Sequence, residues 1–277
     1  MPRAASARVV DALSTGRGER PGSIAVIVAH PDDEVVGAGG RLAYWAAETT
    51  VVHVTGGAPA DGADARRAGF TCPGDYADAR RRETRAALAC LPHQPIAVVS
   101  LGFTDQRVTR DLYDVVSALR ELMRRQPPDV VVTHAYEGGH PDHDAIAFAH
   151  QMLRAMPDLP RFDVVEFAEY HEGRSGALVS NQFADTAQPD GRVASTLTPQ
   201  DRRRKQLMLR CFCTQQRVLE PFGCGEEWLR PAPTYDFTKP PEAGGVWFDR
   251  FDWITSARWR AIVAQVASRL AADGVTC

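Results

Sequence analysis

Over the first 170 residues, short apolar runs alternate with longer stretches of helical spacing. Ile24-Ala-Val-Ile-Val-Ala29 is continuous and β-branched with no polar alternation, the pattern of a parallel strand covered on both faces. Gly39-Gly40 then introduces Arg41–Ala47, which suits a helix, and Thr50-Val-Val-His-Val54 reads as a second strand. Residues 56–75, rich in Gly, Ala, Asp and Pro, read as a loop. The spacing predicts a helix over Tyr76–Leu91, an apolar run at Ile96–Val99 and a helix over Thr109–Arg125. A strand at Asp129–Thr133, a helix over His143–Met156 and a strand at Phe162–Phe167 follow.

Such β-α alternation predicts an α/β fold, a Rossmann-like open and mainly parallel sheet with helices on both faces over residues 22–170. Beyond it the pattern weakens. A helical stretch near Pro199–Cys213 precedes a Pro- and aromatic-rich segment, Pro221–Trp253, and a last amphipathic helix over Ser256–Ala272. No internal repeat or linker divides the chain. Residues 171–277 are expected to form an irregular, substrate-shaping extension of one domain spanning 1–277.

Composition narrows the classes without naming a function. An apolar share of 44% and a charged share of 24% over 277 residues are those of a folded globular chain rather than a disordered or coiled-coil one. The formal charge of -3 provides no basic field for nucleic acid, so a small-molecule substrate is expected. Arg80-Arg81-Arg82 and Arg202-Arg203-Arg204 read as solvated helix faces. Six cysteines, at 72, 90, 211, 213, 224 and 277, show no Cys-x-x-Cys pair and read as mostly reduced; a disulfide among Cys72, Cys211, Cys213 and Cys224 stays open. With no signal-type leader and no membrane-length apolar run, a cytoplasmic protein is expected. A homo-oligomer is left open.

The chemistry concentrates in two places. Ala29-His30-Pro31-Asp32-Asp33-Glu34 follows the first strand, and His140-Pro141-Asp142-His143-Asp144 follows the strand ending at Thr133 and opens a helix. In an open α/β sheet, ligands bind outside the carboxyl ends of the strands. One acidic loop alone reads as solvated surface, but two such loops at strand ends point to a metal centre. Catalytic zinc commonly takes three His and carboxylate ligands and leaves a position for water. Neighbouring side chains do not both reach one metal easily, so His30 and Asp33 would ligate while Asp32 acts as base. Of His140 and His143, one would reach the metal and the other would face the oxyanion or leaving amine. His53, His93, His134, His150 and His171 lack such company and read as structural.

Both marks, complete at 29–34 and 140–143, resemble the zinc-dependent N-acetylglucosaminyl deacetylase family, also called PIG-L or LmbE-like. The resemblance implies zinc on His30, Asp33 and His143, with iron(II) an alternative in cells. It implies Asp32 as general base and His140 as the charged partner of the tetrahedral intermediate. It also implies Arg80, of an Arg-x-x-Glu pair with Glu83, and Asp105 as holders of sugar hydroxyls. Tyr136 either covers the acyl group or simply packs, and Gly138-Gly139 would give its loop backbone freedom.

The function expected is a metal-dependent hydrolase that removes an N-acetyl or other N-acyl group from an amino sugar or small glycoconjugate. The nearest rival is an amidase cleaving a non-sugar amide or a thiol conjugate. A non-haem iron oxygenase would use two His and one carboxylate, but not typically at a strand end of a parallel sheet. A nucleotide-binding module would need Gly-x-Gly-x-x-Gly where Gly37-Ala-Gly-Gly40 stands. A catalytically dead binding protein would not need Asp32. Phe222, Trp228, Tyr235, Phe237, Trp247, Phe248 and Trp253 either line a substrate wall or pack.

Overall fold

The first apolar run becomes β1 (Ile24–Val28), and its residues alternate between two cores. Ile24, Val26 and Val28 face one layer while Ile27 and Ala29 face the other, so a run without polar alternation is a strand buried on both sides. The computed structural model describes residues 7–16, 22–45, 49–92, 96–184, 191–241 and 245–275, so His93, Cys277 and residues 46–47 of the expected Arg41–Ala47 helix lie outside it.

In chain order the elements are α1 (Ala7–Thr15), β1, α2 (Asp33–Ala38), β2 (Thr49–Pro59), α3 (Ala63–Arg67), α4 (Pro73–Leu88) and β3 (Ala97–Asp105). They continue with α5 (Leu112–Arg125), β4 (Val130–His134), α6 (Pro141–Ala155), β5 (Asp163–Phe167), β6 (Tyr170–Glu172) and β7 (Leu178–Ser180). The last are β8 (Val193–Thr196), α7 (Pro199–Cys211), α8 (Gln216–Leu219), β9 (Glu226–Pro231) and α9 (Ser256–Ala272).

Seven strands form one sheet in the order β3-β2-β1-β4-β5-β9-β8. The first five are mutually parallel; β9 runs antiparallel to β5, and β8 antiparallel to β9. The chain moves outward from β1 to β2 and β3 and then crosses to β4 on the other side of β1. The strand order therefore reverses between β1 and β4, which pair from Ile24↔Val130 to Ile27↔Thr133. A crevice opens at such a switch point. It receives the loops after β1 and after β4, the two loops that carry the motifs.

One core layer packs α5, α6 and α9 on the sheet through residues such as Leu119, Phe148 and Trp259. The other uses α1, α2, α4 and α7, with Leu13, Val35, Leu88 and Met208. The expected Arg41–Ala47 helix is replaced by α2 and a short 3-10 turn at Leu42–Tyr44. The backbone N–H groups of Gly40 and Arg41 instead donate to the Glu227 carboxylate, at 2.7 and 3.1 Å. The expected loop 56–75 contains the end of β2, all of α3 and the start of α4, whose cap is the Cys72 sulfur accepting from Asp75 N–H.

The extension is more regular than its pattern suggests, because β8 and β9 complete the central sheet. The strand Glu226-Glu-Trp-Leu-Arg-Pro231 hides its signal behind charges. Glu227 and Arg230 are nonetheless buried, and each is paired: Glu227 accepts from Lys205 Nζ at 2.8 Å, and Arg230 Nε donates to Glu166 at 3.0 Å. Cys72, Cys90, Cys211, Cys213 and Cys224 are free thiols, so no disulfide joins the pairs left open by the sequence. No described helix is long and apolar enough to cross a membrane.

Candidate active site

Asp32 sits at the N-cap of α2 with φ 144°, a conformation that a side-chain-bearing residue adopts only under constraint. Its N–H donates to Glu34 Oε2 at 3.2 Å, and its carbonyl accepts from the N–H groups of Val35 and Val36 at 2.9 Å each. This twist separates two neighbouring carboxylates. Asp33 turns toward the histidines, while Asp32 Oδ2 lies 2.9 Å from the Arg80 guanidinium.

Across the crevice, His140 caps α6, its Nδ1 accepting from Asp142 N–H at 3.2 Å, and Pro141 occupies the first helical position, where no intrahelical N–H is needed. One turn into α6, His143 reaches the β1 side. Its Nε2 is 3.2 Å from His30 Nδ1 and 3.6 Å from Asp33 Oδ2, and His30 Nδ1 is 3.3 Å from that same oxygen. For a tetrahedral ion with bonds of about 2.0–2.2 Å to N and O, ligand atoms lie roughly 3.3–3.6 Å apart. These three atoms thus outline one face of such a tetrahedron.

Among the described residues, other groupings of donors lie within 4.8 Å of one another: His30, His140 and His143; Asp33, His134 and His143; and His30, Asp105 and Asp142. Hydrogen bonding weakens each. His134 Nε2 accepts from Ala29 N–H at 2.9 Å while its Nδ1 faces Glu169 Oε2 at 3.1 Å, leaving it no lone pair for a metal. His140 spends its Nδ1 lone pair on the helix cap. Asp142 already accepts from the N–H groups of Gln106 and Val108, at 2.7 and 3.2 Å.

Both inward-facing histidines are backed by carboxylates on their other nitrogen. His143 Nδ1 lies 2.9 Å from Glu169 Oε2. His30 Nε2 lies 3.0 Å from Asp105 Oδ1, close enough for ion pairing though not aligned as a hydrogen bond. Such outer partners fix the tautomer and raise the basicity of the inward nitrogen.

The electrostatics are those of a site short of positive charge. Asp32, Asp33, Asp105, Asp142 and Glu169 are all buried, with Arg80 the buried guanidinium among them. Burial opposes ionisation of Asp33, yet His143 and His30 outweigh it and hold the carboxyl well below its usual range. Burial likewise opposes protonation of His143, but Glu169 and Asp33 raise it to about 10. Asp32 is pushed up to about 8 by burial, against the pull of Arg80. A divalent cation at the donor triangle would compensate these carboxylates and compete with protons for His30 and His143.

The expected residues do not all come together. His30, Asp32, Asp33, His140, His143 and Asp105 share one cleft. Arg80, expected on sugar hydroxyls, is instead built into the protein: besides Asp32, it donates to the Gly57 and Pro31 carbonyls at 2.8 Å each. Glu83, its partner in Arg-x-x-Glu, accepts from Thr214 N–H and hydroxyl rather than facing the cleft. Asp105 faces His30 rather than open space. Tyr136, offered as a cover for the acyl group, packs among Tyr235, Phe237 and Trp259, with its hydroxyl donating to the Lys239 carbonyl at 2.8 Å. The expected charge on His140 is opposed by burial and by His30 and His143, which hold it well below its usual range. With Nδ1 committed to the cap, the ring presents Nε2–H as a neutral donor.

Three neighbours were missed. Glu169 follows β5 as the two motifs follow β1 and β4, and the same strand-end rule would have found it. His134, the last residue of β4, stacks on His143 with ring centroids 4.0 Å apart and fixes its plane. Tyr170 leans edge-on toward His143 at 5.7 Å. Its approach requires Gly139, where an added Cβ would lie 2.2 Å from the Tyr170 carbonyl. Of the seven aromatics in the extension, Trp253 touches His140 and Phe222 touches Tyr170, at 4.7 and 5.7 Å between ring centroids. Tyr235, Phe237 and Phe248 belong to the core.

Residues 25–153 match the family described as PIG-L: GlcNAc-PI de-N-acetylase. A protein of Escherichia coli (strain K12) described as the uncharacterized deacetylase YaiS is 34% identical over 164 residues, covering 55% of this chain and 79% of that protein. Among solved structures, the zinc-inhibited form of teicoplanin deacetylase Orf2 superposes with a TM-score of 0.58 at 22% identity, covering 78% of this chain and 99% of that one. GalB, the 4-carboxy-2-hydroxymuconate hydratase of Pseudomonas putida KT2440, superposes at 0.54 with 23% identity, covering 73% and 83%. A hydratase on the same fold means that architecture does not by itself select deacylation. With both motif loops inside the matched residues and the E. coli relative covered over most of its length, the chain belongs to the PIG-L family of de-N-acetylases.

Proposed function

We propose that this protein is a zinc-dependent hydrolase that removes an N-acetyl or other N-acyl group from an amino sugar or small glycoconjugate. The observation that carries the metal assignment is the donor triangle of His30 Nδ1, Asp33 Oδ2 and His143 Nε2, with edges of 3.2, 3.3 and 3.6 Å. Family membership and the deacetylases on the same fold support the amide bond as target. The ligand set also suits iron(II).

Zinc bound there would lower the pKa of a water to about 7 and polarise the acyl carbonyl. Asp32, ionised once a cation at the triangle offset its burial, would serve as the proton acceptor for that water. Arg80 fixes its Oδ2 and leaves Oδ1 without a partner among the described residues. His140, held by its cap, offers Nε2–H to the oxygen or nitrogen on which charge develops. Tyr170 packs edge-on against the His143 ring. Asp105 and Glu169 hold the two histidine rings in place.

The test is amine and acetate release from a panel of N-acetylated amino sugars and glycoconjugates, with metal content measured on the same samples. Wild type is expected to act on at least one sugar class. Asp32→Asn is expected to keep its metal and lose about 10²–10⁴ in kcat. No release from any sugar by metal-loaded wild type would transfer the assignment to a non-sugar amide. Loss of metal from Asp32→Asn would overturn the division between Asp32 and Asp33.

A further inference from the structure

One histidine outside the two motif loops interrupts an apolar strand. β2 runs Val51-Val52-His53-Val54 through the middle of the sheet, and all four residues are buried. His53 pairs with Val28 of β1 on one side and Ser100 of β3 on the other. A polar ring in such a run is costly unless it finds a partner. Its partner is Glu34, buried in the first turn of α2, whose Oε2 lies 3.0 Å from His53 Nε2.

The same Oε2 accepts the N–H of Asp32 at 3.2 Å. Oε1 of Glu34 is buried without a hydrogen-bond partner among the described residues, so His53 is the side chain that fixes the direction of the carboxylate. Asp32 holds a φ of 144°, a backbone conformation that persists only where surrounding groups over-determine it. Its carbonyl is taken by the N–H groups of Val35 and Val36, and its side chain by Arg80. φ is the torsion next to the N–H, so the Glu34 contact bears on it directly.

We infer that His53 is a positioning residue: through Glu34 it holds the Asp32 backbone in the twisted conformation that sends one carboxylate to Arg80 and leaves Asp33 to the donor triangle. This rests on the reading of Asp32 as the proton acceptor of an N-deacylase. Placement matters there because proton transfer needs heavy atoms within about 2.6–3.2 Å of each other. Side-chain chemistry separates the role from packing. Phe fills the space of the imidazole but offers no N–H, whereas Gln fills it less well and its Nε2 can donate where the ring Nε2 stood. For a residue that only packs, Phe is the milder change; for a positioning residue, Gln is.

The experiment compares wild type, His53→Phe and His53→Gln by zinc content, by kcat and KM on N-acetylglucosamine, and by crystal structures read at Asp32. His53→Phe should keep its zinc and its KM while kcat falls about 10–100-fold, with Asp32 turned away from Arg80. His53→Gln should keep kcat within about threefold of wild type and the Asp32–Arg80 contact intact. If His53→Phe does not fold, His53→Asn, polar but too short to reach Glu34, takes its place with the same expected losses. A structure of either variant in which Asp32 keeps its φ and its Arg80 contact without the His53 N–H, or a His53→Gln enzyme slower than His53→Phe, overturns the inference and leaves the deacylase reading standing. Absence of turnover by zinc-loaded wild type removes the deacylase reading, while the structures still decide whether His53 sets the Asp32 backbone.

Discussion

The loops after β1 and β4 and the chain beyond β5 solve opposite problems. Each loop gathers its polar side chains within a few residues, at a crevice that the strand order creates. The later segments disperse theirs, pairing each with a partner far away in sequence: Lys205 with Glu227, Arg230 with Glu166, Glu169 with His143. In the proposed reading the loops carry the chemistry. The later segments hold the loops, since Glu227 binds the turn after α2 and Lys205 Nζ donates to the Val36 carbonyl within it at 2.7 Å. The C-terminal end of the short helix that begins at Asp33 is thus secured by two distant side chains.

The contrast can be broken most severely at Asp33. Asp33→Ala removes the oxygen shared by both histidines and is expected to abolish metal retention and with it all measurable turnover, read by metal analysis after dialysis. Glu227→Ala tests the other side, because it strands the buried Lys205 ammonium. Urea unfolding should show a loss of about 3–5 kcal/mol, while the fraction that remains folded keeps bound metal. If Glu227→Ala instead loses metal with stability unchanged, the support role assigned to β9 is wrong.

Smaller changes sharpen the same division. Glu169→Gln keeps the shape but weakens the hold on His143 Nδ1, and metal affinity measured by chelator competition should fall by about 10–100-fold. Tyr136→Phe deletes one hydrogen bond to the Lys239 carbonyl, so stability should fall by about 1 kcal/mol with kcat unchanged. A large drop in kcat for Tyr136→Phe would return that tyrosine to the cleft.

The parts legible in the sequence are those with short-range causes. The apolar run Ile24–Ala29 announces a doubly covered strand because all but one of its positions are buried, and His-Pro-Asp-Asp sets its candidate ligands three residues apart in one turn. β9 was not legible, because Glu227 and Arg230 break the apolar pattern and are tolerated only through partners 22 and 64 residues away. Tyr136 stayed open between two readings for a related reason: two residues past a strand end, it has the address of a site residue, and its packing against Phe237 and Trp259 is a tertiary contact.

By itself the sequence determined the α/β alternation, the two motif loops and the residue types able to hold a metal, since backbone periodicity and ligand chemistry act over a few residues. The tertiary structure alone decided which nitrogen of each histidine faces the cleft, that Arg80 serves Asp32 and that Trp253 stands beside His140. Those outcomes depend on the crossing from β3 to β4 and on distant hydrogen-bond partners competing for the same lone pairs, which no local pattern records.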